Sequence, residues 1–173
     1  SSYKWLLATH GVAPCYVSDR AEALLRPTAF GWRNLAVWPA QGAERAPDAE
    51  EKPMPERLEP GNPSMVSVLY LDYALERILQ IGIERIEAHN LDLSEQVNAG
   101  LEGLQQKVIS PKVRERRSGN TCFAVDDAHV LCEALADREV LVWGEHGRVR
   151  VSGHLYNNSA DVERFLSVLQ ELI

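Results

Sequence analysis

The sequence lacks the features that mark several large classes of protein. Its three cysteines, Cys15, Cys122 and Cys132, lie far apart and show none of the Cys/Cys or Cys/His spacings of metal sites. The longest apolar runs, such as Val66–Tyr70, fall well short of the roughly 20 residues of a membrane span. No basic segment followed by an apolar one marks a signal peptide. These absences predict a cytoplasmic protein with reduced thiols, no metal site and no membrane segment.

Clusters of Lys and Arg are also missing. The 173-residue chain carries a net charge of -7 at pH 7, whereas nucleic-acid interfaces are strongly positive. We therefore expect no nucleic-acid partner. With 45% hydrophobic residues, the composition is that of a soluble globular protein with one ordinary core. The first residue is Ser1 rather than Met, which suggests a fragment or a processed chain.

Two different patterns precede residue 64. The block Lys4–Val17 is apolar and interrupted by Gly11 and Pro14, which predicts a buried strand and its approach loop. From Pro39 to Pro63, six prolines are mixed with acidic residues. Because proline removes a backbone donor and disfavours helix, this stretch is predicted to be an extended, mostly exposed connection.

The pattern becomes helical after Pro63. Apolar residues spaced by threes and fours predict one helix up to Ile81, a stop at Gly82, and a second helix from Ile83 to Leu104. Charged residues cover the other face of the second helix. The pattern therefore predicts two consecutive helices between Pro63 and Leu104.

The last 60 residues alternate between strand and helix patterns. We predict strands at Asn120–Val125, Glu139–Trp143 and Arg148–Ser152, a helix at Asp127–Ala136, and a final helix from about Ser159, whose hydroxyl suits an N-cap. This order predicts a small α+β sandwich, a sheet with helices on one side.

Lys4 is the first residue whose setting suggests chemistry. It lies between Tyr3 and Trp5 and ahead of an apolar segment. Burial there would disfavour the charged ammonium and lower the lysine pKa, as a Schiff-base lysine requires. Local sequence alone leaves the alternative open that Lys4 is a surface charge, which is the usual role of lysine.

Five segments, in order, resemble those of the class V aminotransferase superfamily of pyridoxal-phosphate (PLP) enzymes. Ser1–Val12 resembles the strand and loop that present the cofactor lysine, Gly31–Asn34 the Gly-Trp segment of kynureninase-like members, Glu59–Ser64 the turn that opens the first helix of the C-terminal half, Ile81–Ile86 the helix junction, and Arg148–Asn158 the Arg-x-Ser-x-x-x-Tyr-Asn ending. The resemblance covers essentially the whole chain.

The resemblance implies a fold type I enzyme, an α/β protein of which this portion is α+β. Residues 1–63 would be the trailing segment of the large PLP-binding domain with its Pro-rich connection, 64–106 a connecting helix pair, and 107–173 the small C-terminal domain. It implies PLP as cofactor and an amino acid as substrate. It also implies a homodimer, and an N-terminal half of the same enzyme as partner.

Roles carry over residue by residue. Lys4 would form the internal aldimine with PLP and move the substrate Cα proton. Ser1 and Tyr3 match positions that hydrogen-bond the cofactor phosphate, although Ser1 could also be a frayed terminal serine. Trp32 and Asn62 resemble positions that reach a PLP phosphate, often that of the neighbouring subunit. An apolar anchor for Trp32 and a turn residue for Asn62 are the alternatives.

The Arg-x-Ser ending supplies the substrate side of the site. Arg150 matches the arginine that binds the substrate α-carboxylate, a role that suits a planar guanidinium because it can donate two parallel hydrogen bonds. Arg148 competes with it, since both lie on one face of a strand. His154 would line the substrate pocket and His10 would lie near the cofactor loop; a structural role is the alternative for each histidine.

Two departures from the family pattern limit what the resemblance implies. Members that desulfurate cysteine carry a nucleophilic cysteine on a loop before the carboxylate-binding arginine, whereas Gly144–Gly147 is short and has no cysteine. In the family, the residues that stack on PLP, pair with its ring nitrogen and cradle its phosphate all precede the lysine, so the chain alone is expected to be incomplete.

The sequence therefore supports two functions from different classes. The first is a PLP-dependent lyase that breaks a Cβ bond of an amino acid, either C-S or C-C, with epimerase and aminotransferase as alternatives within the superfamily. The second is a non-catalytic assembly domain that needs the missing N-terminal half, which predicts an uncovered apolar face.

Overall fold

The computed structural model describes residues 1–25, 29, 31–36 and 50–173. The described chain forms two compact units, Ser1–Ile78 and Leu79–Ile173. None of its helices combines the length and the apolar character that crossing a bilayer requires. The three-part division at residues 63 and 106 stays a prediction.

The first unit begins with turns. Leu7 N donates to Lys4 O at 3.1 Å and Ala8 N to Ser2 O at 3.0 Å. The strand predicted over Lys4–Val17 is therefore wrong: the backbone bonds within its own turns, and no described strand pairs with it. A short helix, α1 (Asp19–Glu22), follows, with the Ser18 hydroxyl accepting from Ala21 N as its N-cap.

The Pro-rich connection is described only from residue 50, so 39–49 of the predicted stretch lie outside the described residues. Its described part contains one 3-10 turn, Glu56–Leu58, within otherwise irregular backbone. Leu35 is buried and pairs with Glu51 in an isolated antiparallel bridge. The bridge thus holds the described start of the connection against the segment around Leu35.

Two consecutive helices follow, as predicted. Helix α2 spans Met65–Ile81 and α3 spans Ile83–Gly103. Gly82 separates them with φ +96°, a conformation that L side chains rarely adopt, so glycine is the residue that ends α2 here.

The second unit is the predicted α+β sandwich. Strands β1 (Asn120–Ala124), β2 (Trp143–Glu145) and β3 (Arg148–Ser152) form an antiparallel sheet in the order β1-β3-β2. The unit also contains helix α3, together with α4 (Ala128–Ala136) and α5 (Ser159–Leu172). Helices and sheet enclose one core, whose most deeply buried side chains are Leu101, Phe123, Leu135, Val149 and Leu169.

Two element boundaries differ from the predictions. Residues 139–142 are not a strand, because Glu139 N and Val140 N donate back to Ala136 O and Leu135 O and so complete the end of α4. The strand starts later, at Trp143. The N-cap of α5 is Asn158, whose side chain accepts from Ala160 N, and Ser159 is the first helical residue.

Candidate functional site

The lysine loop, residues 1–12, is held from two sides. Ser2 is fully buried and its hydroxyl donates to Val12 O at 2.6 Å, which closes the loop on itself. Ser67 of α2 is also buried, and its hydroxyl donates to His10 O at 2.8 Å. The backbone on each side of Lys4 is therefore fixed by side-chain hydrogen bonds from buried serines.

Within this loop, an aromatic stack lies next to the lysine. The rings of Tyr3 and His10 are stacked, and the Lys4 Nζ lies 5.6 Å from the centroid of the Tyr3 ring. The structure thus groups three predicted residues, and it gives His10 a definite contact that the sequence pattern did not specify.

Lys4 differs from the prediction in one respect. The prediction was a side chain desolvated by the neighbouring aromatic residues, whereas the Lys4 side chain is exposed. Ser1 is exposed as well, and Tyr3 keeps 42% of its surface accessible. The described part of the chain places no carboxylate in an ion pair with Lys4. This arrangement presents an amine and two hydroxyls, a donor set that fits an aldehyde-bearing phosphate cofactor.

The Gly-Trp segment and the Asn62 turn lie against each other. Arg33 N donates to Pro60 O at 3.3 Å, and the Arg33 guanidinium donates to the Asn62 side chain at 3.5 Å. A Cβ on Gly31 would lie 2.2 Å from Pro60 O, so only glycine permits this approach. Asn62 is exposed and Trp32 is half-buried. Their contact with a phosphate stays a prediction.

Asn34 is the residue in this segment that sequence reasoning missed. It is fully buried, its side-chain oxygen accepts from Gly31 N, and its amide donates to Ala29 O and Arg57 O at 3.1 Å each. A buried amide with three backbone partners fixes the segment that presents Trp32. In the sequence, the one indication of this role was the position of Asn34 directly before the apolar Leu35.

Arg150 lies on the exposed face of the sheet, where it covers an aromatic ring. The Arg150 guanidinium carbon is 4.9 Å from the centroid of the Trp143 ring on β2. The two residues are directly opposite in the register of β2 and β3. Arg148 is exposed on the same face. Both arginines are exposed, and among the described residues only Arg150 has this aromatic contact.

The surroundings of His154 fit the structural role that the sequence left open as its alternative. It is buried, and its ring stacks on Tyr156 with centroids 4.7 Å apart. Its backbone N donates to the Asn157 side chain at 3.0 Å. Its predicted contact with substrate stays a prediction.

The turn after His154 leads into α5 through a capping box. Asn158 N donates to the Asp161 carboxylate at 2.9 Å and the Asn157 amide donates to it at 3.1 Å. The bond from the Asn158 backbone, and then that from Asn157, lowers the pKa of Asp161. The charged form of this carboxylate therefore holds the end of the Arg-x-Ser segment to the helix.

The cysteines lie where the sequence placed them, Cys122 in β1 and Cys132 in α4, while Cys15 is exposed. Burial raises the pKa of the Cys132 thiol, which makes it less nucleophilic. Among the described ranges, no three or more His, Cys, Asp or Glu residues are grouped so that they could hold a metal ion.

Comparisons with known proteins point to one family. The family model of the class-V aminotransferases matches residues 1–165. A probable cysteine desulfurase 2 of Mycobacterium leprae is 31% identical over 94% of this chain and 41% of its own length.

Solved structures match over a similar extent. A complex of the cystine C-S lyase C-DES with its product cysteine persulfide superposes with TM-score 0.83 at 20% identity, covering 99% of this chain and 45% of that one. A C-DES variant with glycine covalently linked to its PLP cofactor gives TM-score 0.75 at 19% identity, covering 90% and 40%. The chain thus spans less than half the length of the relatives it matches.

Proposed function

Because the chain belongs to the class-V aminotransferase family, we propose that it carries the cofactor lysine and the carboxylate-binding arginine of a PLP-dependent lyase that cleaves a C-S bond of an amino acid. The observation that carries the proposal is the exposed Lys4 amine on a loop fixed by buried serines. The relative named as a cysteine desulfurase and the fold shared with a cystine C-S lyase favour sulfur over carbon as the leaving atom.

On this proposal, Lys4 would hold PLP covalently, and the Tyr3 and Ser1 hydroxyls would donate to its phosphate. When bound, PLP supplies an electron sink that makes the Cα proton of an amino acid acidic. Once the substrate amine has displaced it from the cofactor, the free Lys4 amine would accept that proton. Arg150 would donate two hydrogen bonds to the α-carboxylate of the substrate and so limit its orientation. The C-S bond then breaks with its electron pair leaving on sulfur.

The hairpin between β2 and β3 supports a lyase that uses no cysteine nucleophile before the arginine. Its turn consists of His146 and Gly147, both with positive φ, 53° and 69°. This is the geometry of a two-residue turn, which leaves no loop that could bring a cysteine to a substrate. The sulfur product would therefore leave directly from the substrate.

The test uses the protein as encoded by its gene, supplied with PLP and assayed with L-cystine. Lys4→Ala is expected to lose the visible absorbance of the bound cofactor and all measurable turnover. Lys112→Ala removes another exposed lysine, one that pairs with Glu102 at 2.6 Å, and should keep both signals. Retention of absorbance and turnover by Lys4→Ala would refute the proposal.

An assembly role is a second candidate, and α2 favours it. One face of this helix is buried through Ser67, Leu71, Ala74 and Ile78. A second side of the helix carries Val66, Leu69, Tyr70 and Tyr73, each more than half exposed. A group of exposed apolar side chains of this kind commonly marks an interaction surface.

We propose that the N-terminal half of the enzyme or a second subunit covers the exposed face of α2. Light scattering after size exclusion would test this with Leu69→Glu. The variant should reduce the mass of the assembly, whereas Glu87→Lys, a charge change at an exposed position of α3, should not. A monomeric parent protein of the mass of one polypeptide would exclude the second subunit.

A further inference from the structure

The exposed face of the sheet is organised in rows across the strands. In one row, Arg150 of β3 lies between Cys122 of β1 and Trp143 of β2. In the next row, Arg148 lies between Ala124 and Glu145. The two arginines are therefore presented in the same direction but with different lateral neighbours.

These neighbours give the two arginines different electrostatic surroundings. Arg148 is opposite Glu145, whose negative charge weakens the attraction of Arg148 for another anion. Arg150 is flanked by Cys122 and Trp143, and neither of them is a carboxylate. Its positive charge therefore remains available to a carboxylate ligand.

The indole does more than leave this charge available. With the Arg150 guanidinium carbon 4.9 Å from the Trp143 ring centroid, the cation is attracted by the negative face of the ring. A guanidinium that uses its flat face for the ring keeps the N-H groups at its edge for a bidentate carboxylate. The ring thus limits the rotamers of a long side chain before ligand arrives, which lowers the entropy lost on binding.

We infer that Trp143 is a positioning residue for the α-carboxylate of the substrate, acting through Arg150. This role rests on the proposed function, because it requires Arg150 to be the carboxylate-binding residue. It predicts that Trp143 contributes to the binding of ligands that carry a carboxylate and makes no contribution for the same ligands without one.

The experiment measures binding by calorimetry to the PLP-loaded protein as encoded by its gene. Glycine is the probe because it has no Cβ and cannot undergo the cleavage, and methylamine is the matched ligand without a carboxylate. The variants are Trp143→Leu, Trp143→Phe, Arg150→Gln and the double variant Trp143→Leu with Arg150→Gln. Circular dichroism and the thermal midpoint check that each variant is folded; Trp143 is 40% exposed, so little core packing is lost.

Trp143→Leu is expected to raise the Kd of glycine about two- to fivefold, the range of an exposed cation-π contact, with a smaller rise for Trp143→Phe, which retains a ring. The Kd of methylamine should not change. In the Arg150→Gln background, Trp143→Leu should have no further effect. With L-cystine, Trp143→Leu should raise KM by the same factor and leave kcat within about twofold.

Three results would overturn the inference. If Arg150→Gln weakens glycine binding while Trp143→Leu does not, the positioning role is wrong and the proposed function stands. An equal loss of methylamine affinity in Trp143→Leu would show that the indole acts on another part of the ligand. If Arg150→Gln binds glycine as tightly as the parent protein, the role of Arg150 in the proposed function fails, and the inference fails with it.

Discussion

The rings of Tyr3 and His10 stack with centroids 3.9 Å apart and planes 20° from parallel, so the residue before the proposed cofactor lysine is held by a residue six positions after it. His10 is in turn fixed through its backbone oxygen by Ser67. The contact links the proposed phosphate donor to the rigid part of the lysine loop.

Removing this stack should weaken cofactor binding. His10→Ala leaves the Tyr3 ring free to rotate, and an aromatic pair is worth about 0.5–1.5 kcal/mol, so the Kd of PLP should rise roughly two- to tenfold. His10→Phe keeps a flat ring and is the matched control, expected to stay within about twofold of the parent protein. Titration with PLP followed by absorbance measures both. An unchanged Kd in His10→Ala would mean that the stack does not position Tyr3 for the cofactor.

Gly144 should not tolerate a side chain. Helix α4 packs directly on β2, and a Cβ at this position would lie 2.6 Å from Cys132 Sγ and 2.9 Å from Ala128 O. Since the second of these is backbone, relief requires the helix to shift, and we expect Gly144→Ala to lower the free energy of unfolding by about 1–3 kcal/mol. Gly103→Ala meets nothing within 4 Å and serves as the control. Urea unfolding compares the two, and equal stabilities would contradict the close packing of α4.

The local features of the fold were predictable because their causes are local. Gly82 ends α2 and the apolar spacing defines α3 without reference to the rest of the chain. The strand predicted at 139–143 begins only at Trp143, because the end of α4 takes up the backbone donors of Glu139 and Val140, a competition that residue type does not reveal. The strand predicted over Lys4–Val17 failed because strand formation needs a partner strand.

The sequence could name candidate site residues but not their contacts. The resemblance named Lys4 and Arg150, whose roles stay predictions, and it could not choose between solvent and burial for Lys4, since that depends on packing. Trp143 was missed, although its signal was present: a two-residue turn at His146 and Gly147 places it opposite Arg150. Recognising that turn from the sequence would have given the pair.

The core of the second unit should depend on Phe123. This ring is fully buried on the inner face of β1, with its centroid 6.4 Å from that of Phe165 on α5. Phe123→Ala is expected to lower the free energy of unfolding by about 3–5 kcal/mol, through lost burial and a cavity. Leu141→Ala removes an apolar side chain that is 86% exposed, so it should change stability by less than about 0.5 kcal/mol. Similar losses in both variants would place the core elsewhere.

Acidification should remove the contribution of the Asp161 carboxylate in the capping box to the stability of the protein. Bonds from Asn158 N and the Asn157 amide lower the folded-state pKa of Asp161 below its unfolded value. A group whose pKa is lowered by folding binds fewer protons when folded, so its stabilisation is fully present above the unfolded pKa, about 3.9 for aspartate. It is lost as the pH falls through the folded pKa. Thermal unfolding of the parent protein and Asp161→Asn should therefore differ most above about pH 5.

The difference between the two proteins should shrink steadily as the pH falls below about 4, because Asp161 then becomes neutral like the asparagine. Other carboxylates titrate in both proteins and cancel in the comparison. Asp137→Asn is the control for the loss of an aspartate charge alone, since Asp137 lies at the C-terminal end of α4 and its side chain makes no described hydrogen bond. A gap for Asp161→Asn that stays constant from pH 3 to 7 would mean that the charge of Asp161 does not stabilise the start of α5.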